Sequence, residues 1–195
     1  MENMYNTILF SLIIIFIYIF LFANRSNIIY VETATGAKYL VNDNANKQQS
    51  ALLLSTIVEN LFKIKNHLVK NIDKYPEYKK YIVQMDENFT ETRTLIYETD
   101  PTSDLTSYSV NKGEELSFCL KSKKTGEMHN INLLMYVALH ELAHVACPET
   151  GHGDLFKYIF KFLTEEAIKL NIYHKTDYSQ TPFEYCGMVL SSSIV

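Results

Sequence analysis

Apolar positions along this chain follow three patterns, and each predicts a different kind of element. Leu54, Ile57, Val58, Leu61, Leu68 and Ile72 recur at helical spacing. They mark one face of an amphipathic helix from Gln48 to Asn71, with Lys63, Lys65 and Lys70 left for the solvent side. Pro76 suits the first turn of a second helix, striped by Tyr78, Tyr81, Ile82, Met85 and Phe89. A third helix is predicted from about Asp154 to Leu170, where Phe156, Phe160, Leu163, Ala167 and Leu170 share a face. Between these, the period changes to two. Thr94 to Glu98 is a β-branched and aromatic run; Thr106, Tyr108 and Val110 then alternate before Asn111-Lys112-Gly113, and Leu116, Phe118 and Leu120 alternate after it. That is a strand followed by a β-hairpin, with one more short strand near Tyr185 to Leu190.

The third pattern is an unbroken apolar run, and it occurs twice. Residues Thr7 to Ala23 contain no charge and no proline, and their seventeen residues reach the lower limit for a bilayer-spanning helix. A cleaved signal peptide fits less well, because MENMYN carries no Lys or Arg and Leu21 stands where a second small residue is wanted. The expectation is a single-pass N-terminal anchor over residues 1–26, with Arg25 favouring a cytosolic C-terminal domain. The glycosylation-type triplets at Asn24 and Asn88 are too common by chance to reverse it. Residues 27–50, with a short strand at Ile28 to Val31 and the polar NDNANKQQS, read as tether or loop.

The second run, Leu133 to Val145, carries chemistry. Inside it stands His140-Glu141-Leu142-Ala143-His144. Residues four apart share a helix face, so His140 and His144 can bind one metal ion, while Glu141 beside them can take a proton from a metal-bound water. Two histidines and a glutamate in a helix apolar nearly all round are costly unless paired or metal-bound. Zinc suits neutral imidazoles and needs only three protein ligands in a catalytic site. Pro148 ends the helix, and Gly151 and Gly153 free a short loop to present His152 as the third ligand. Glu165 or Glu166 on the following helix, and Cys147 three residues after His144, are the rivals for that position.

These residues resemble a known family. His140-Glu141-Leu142-Ala143-His144, followed by Gly151-His152 and then Phe156, is similar to the zinc metallopeptidases of the WLM and SprT-like group, and especially to small members from large DNA viruses. The resemblance runs from about Ser107 to Gly187 and takes in Asn111-Lys112-Gly113, Phe118-Cys119-Leu120 and Tyr185-Cys186-Gly187. It implies a histidine beyond the helix completing the zinc site, an aromatic residue following it, and a protein or peptide substrate lying along a sheet edge. The strands around Tyr108 and Leu116 are the candidates for that edge.

Composition narrows the alternatives. At 195 residues and 47% apolar, the chain buries one domain's core. The expected fold is α+β, a small mostly antiparallel sheet with the metal helix and supporting helices in a metallopeptidase-like domain over residues 51–195. A net charge of -4 without a basic cluster gives no footprint for nucleic acid, which disfavours a SprT-like protease acting on DNA-bound proteins. Three widely spaced cysteines suggest reduced thiols, one pair with a free thiol being the alternative. His67 reads as a surface or edge histidine. The leading expectation is a membrane-anchored zinc endopeptidase; a catalytically silent metal-stabilised membrane protein is the alternative, and it has no use for a buried carboxylate at Glu141.

Overall fold

A computed structural model describes residues 2–23 and 28–195, without the side chains of 2–4, 7 and 19–23. Helix α1 (Glu2–Ala23) covers the first apolar run, and its large side chains from Ile8 to Tyr18 are exposed. Among the described residues no helix is long and apolar enough to cross a membrane, so the expected transmembrane anchor is not supported there. Asn24, Arg25 and Ser26, which bore on topology and glycosylation, lie outside the described residues.

The segment expected to be a tether is part of the sheet instead. Strands β1 (Ile28–Glu32) and β2 (Lys38–Asn42) form an antiparallel hairpin that buries Val31 and Val41. Helix α2 (Lys47–Lys70) follows and buries Leu54, Ile57, Leu61, Ile64 and Leu68. Lys65, expected in solvent, is buried too; its ammonium donates to the Phe89 carbonyl at 3.0 Å and pairs with Asp86 at 3.2 Å. Helix α3 (Lys79–Asn88) turns Tyr81, Ile82 and Met85 inward, and β3 (Leu95–Glu98), β4 (Tyr108–Val110) and β5 (Glu115–Phe118) complete the sheet.

The strand order is β1-β2-β3-β5-β4. Only β1–β2 and β4–β5 are antiparallel; β2–β3 and β3–β5 are parallel, so the sheet is mixed rather than mostly antiparallel. Parallel neighbours need a crossover, and α2 with α3 supplies it between β2 and β3. A buried carboxylate fastens that junction: Glu98 accepts from the Asn42 N–H at 2.9 Å and the Ser50 hydroxyl at 3.1 Å.

Helix α4 (Ile131–Ala146) is surrounded by α2, α3, α5 (Asp154–Lys169) and β4, which is why its sequence is apolar on every side. Asn130 caps it by accepting from the Leu133 N–H at 2.9 Å, a contact worth about 1 kcal/mol. The tail closes with a hairpin, β6 (Phe183–Tyr185) and β7 (Met188–Leu190), turning at Cys186 and Gly187 with φ of 51° and 91°. The cysteines correct the expectation of reduced thiols. Cys119 and Cys186 are joined across 67 residues of chain, tying this hairpin to the end of β5, and Cys147 is free and buried.

Candidate metal centre

Helix α4 and the loop after it bring three histidines to one point. The Nε2 atoms of His140 and His144 are 3.2 Å apart, and that of His152 lies 3.0 Å from each. Helical spacing places the first two, as the sequence requires. His152 comes from the loop after Pro148, where Gly151 has φ 79°. Three imidazole lone pairs aimed at a common centre repel one another unless a cation or protons lie between them. Around a tetrahedral ion with nitrogen ligands at about 2.0 Å, donor atoms are roughly 3.3 Å apart. The observed triangle fits three corners of that figure and leaves the fourth open.

Phe156, at the start of α5, packs against all three rings, with centroid distances of 4.9, 4.3 and 4.8 Å to His140, His144 and His152. This apolar base helps to desolvate His140 and His144. Burial, and then the neighbouring His144 and His152, push His140 down to about 3. Burial, followed by His152 and Lys112, pushes His144 down to about 4. Glu141 is only 4% exposed, and burial pushes its carboxyl up to about 8. A carboxyl raised this far keeps its proton near neutral pH, and a cation beside it would lower its pKa toward the accepting form.

The three rivals for the third ligand position are engaged elsewhere. Glu166 is buried, accepting from the Tyr75 hydroxyl at 2.8 Å and Lys169 at 2.6 Å, with His67 Nε2 at 3.9 Å. Glu165 is exposed and 3.9 Å from Lys161. Cys147 caps the end of α4 outside the histidine cluster. His67 is thus an edge histidine beside Glu166.

The cluster lies in a cleft of about 760 Å³, walled by β4, α4 and the β6–β7 hairpin. Because β4 ends the sheet, its outer edge has no partner strand among the described residues; β5, which carries Leu116, is flanked on both sides. Tyr108 is therefore on the edge strand and Leu116 is not. Three tyrosines line the cleft, at 108, 136 and 185. Tyr185 is deeply buried, its hydroxyl 2.5 Å from Ser107 Oγ, and burial together with the nearby Glu141 charge raises its pKa. His129 steadies this wall by accepting from the Cys186 N–H at 3.3 Å. Sequence spacing gave no sign of His129 and left one cysteine pair only as the alternative without saying which two join, since both features act through contacts between distant segments.

No family model matches the chain. It is 45% identical over 172 residues to the uncharacterized protein R325 of Acanthamoeba polyphaga mimivirus, covering 88% of this chain and 86% of that protein. Shorter matches join it to uncharacterized proteins of two iridescent viruses: 136R of invertebrate iridescent virus 6 (42% identity, 36% of this chain, 40% of that one) and 042R of invertebrate iridescent virus 3 (36% identity, 44% and 52%). Among solved structures, Wss1 from Saccharomyces cerevisiae is 20% identical, covers 48% of this chain and 72% of its own, and has a TM-score of 0.37. A Wss1 mutant from S. pombe is also 20% identical, covers 65% and 92%, and has a TM-score of 0.43. Likeness at that level carries no weight for function, which has to come from the site.

The proton affinities set a pH dependence for the metal-free protein. His140 and His144 are held below the ordinary 6.5, so the unfolded chain binds more protons on the acid side and stability falls as pH drops from about 6.5 toward 3. Glu141 is held above its ordinary 4.5, so the folded chain keeps its proton longer and stability falls as pH rises from about 4.5 to 8. The limbs overlap between about pH 4.5 and 6.5, where two histidines outweigh one glutamate, so urea denaturation with chelator present should give a maximum near 6.5, and Glu141→Gln should flatten the fall above it. An unchanged alkaline limb in the variant would show that Glu141 is not desolvated.

Proposed function

The chain belongs to the family of the mimivirus protein R325, and we propose that its histidine cluster holds zinc and makes it a metallopeptidase acting on protein substrates. The observation that carries this reading is the convergence of three imidazole nitrogens at 3.0 to 3.2 Å beside a buried carboxylate, in a cleft bordered by an unpaired strand edge. Zinc supplies Lewis acidity and lowers the pKa of a coordinated water. In this reading His140, His144 and His152 are the ligands. Glu141 takes the proton of the attacking water on a carboxylate oxygen and returns it to the leaving amine. The main chain of β4 pairs with an extended substrate, which holds peptides of many sequences because only backbone groups are used. Tyr136, Val137, Met188 and Leu190 give the cleft apolar walls that exclude water from the reacting bond.

Residence at a membrane is also proposed, on the sequence and on the exposed side chains from Ile8 to Tyr18 of α1. The charge-free run from Thr7 to Ala23 would make the protein single-pass. After alkaline carbonate washing the full-length chain should remain in the membrane pellet; release by alkali alone would refute the anchor.

Activity separates a peptidase from a metal-stabilised structural protein. Glu141→Gln keeps the side chain's shape, so the full-length variant should fold and bind zinc like the parent while peptide hydrolysis drops by ~100-fold or more. Hydrolysis at the parental rate, or a parent that cleaves no peptide while loaded with zinc, would refute the assignment.

A further inference from the structure

The loop that delivers His152 has little of its own to hold it. Residues 148–152 make no backbone–backbone hydrogen bond among the described residues, Pro148 has no N–H to give, and Gly151 stands in open space with φ 79°. Yet His152 must reach the point fixed by His140 and His144. What grips the loop comes from the opposite wall of the cleft. The ammonium of Lys112 donates to the Cys147 carbonyl at 2.7 Å and to the Glu149 carbonyl at 2.5 Å.

Lys112 is itself firmly based. Asn111, Lys112 and Gly113 turn the β4–β5 hairpin with φ of 46°, 56° and 106°, the left-handed geometry of tight hairpin turns, which asparagine and glycine adopt readily. This turn docks against the end of α4. A Cβ on Gly113 would lie 3.0 Å from Val145 Cγ1 and 3.1 Å from the Asn88 carbonyl, so only glycine lets the turn dock this closely. Docking carries the Lys112 stem past the last turn of α4, where carbonyls lack intrahelical donors. Gln84 takes the Val145 carbonyl at 3.0 Å, and Lys112 takes that of Cys147.

We propose that Lys112 is a positioning residue for the metal centre, fastening the loop from Cys147 to Glu149 so that His152 joins His140 and His144. This inference rests on the metal reading and adds a residue that acts through the loop rather than as a ligand. It also makes a prediction of definite sign. A lysine in the same cleft, acting only through its charge, repels a metal cation, so its removal would tighten metal binding. Acting through the loop, its removal weakens binding.

Zinc affinity of the full-length chain, measured by competition with a chromophoric chelator, distinguishes the two. Lys112→Met should weaken zinc binding by ~10-fold or more, the range typical of groups that orient ligands. Lys112→Arg, which keeps the charge and the donors, should recover most of that loss. The loss should vanish in the His152→Ala background, where Lys112→Met should change affinity less than about twofold, because the two residues act on one arm. Hydrogen exchange of the metal-free proteins gives a second readout: amides of residues 149–152 should exchange faster in Lys112→Met while those of α4 stay protected. Unchanged or tighter zinc binding in Lys112→Met, or an undiminished loss in the His152→Ala background, would overturn the assignment to Lys112. A folded parent that binds no zinc would instead refute the metal reading, and this inference with it.

Discussion

Three imidazoles sharing one centre, two half-buried on an apolar helix and the third exposed on the loop after it, are the constraint from which the rest of the domain follows. The buried glutamate and the half-buried histidines are costly unless something compensates them. A cation at the point where the three nitrogens converge would do so, and it would use the neutral state that burial favours at His140 and His144. The elements around α4 prepare that point. Phe156 forms its apolar base, Asn130 starts the helix, Gln84 and Lys112 satisfy carbonyls where it ends, and the turn at Gly113 is pressed against its last residues.

Much of the site was legible in the sequence because its main parts are local. His140, Glu141 and His144 are fixed by helical periodicity, Pro148 marks the end of the helix, and two glycines announce a loop able to turn His152 back. The third ligand needed more than spacing. Glu165 and Glu166 lie on the next helix and were the carboxylate rivals to His152, and the packing of Tyr75 and Lys169 around Glu166 shows it turned away.

The parts that were not legible are those made by contacts far apart in the chain. A polar stretch such as NDNANKQQS looks like tether because nothing nearby shows that Asn42 pairs with Glu98, 56 residues on. The parallel pairings of β3 have the same origin: period-two alternation reveals strands but not their neighbours. Lys65 was assigned to solvent by its charge, whereas Asp86 and the Phe89 carbonyl compensate its burial. Cys119 and Cys186 are widely separated, and only the return of the β6–β7 hairpin to the end of β5 joins them. That return also makes the hairpin a wall of the cleft, so the same tertiary contact shapes the site and hides it from sequence.

The central claim is that His140, His144 and His152 together hold one metal ion, and X-ray absorption at the zinc edge of the zinc-loaded, full-length protein tests it most directly. The expected spectrum has three imidazole nitrogens and one oxygen donor at about 2.0 Å, with one imidazole contribution lost in His152→Ala. A sulfur scatterer at about 2.3 Å, or a spectrum that His152→Ala leaves unchanged, would contradict the account.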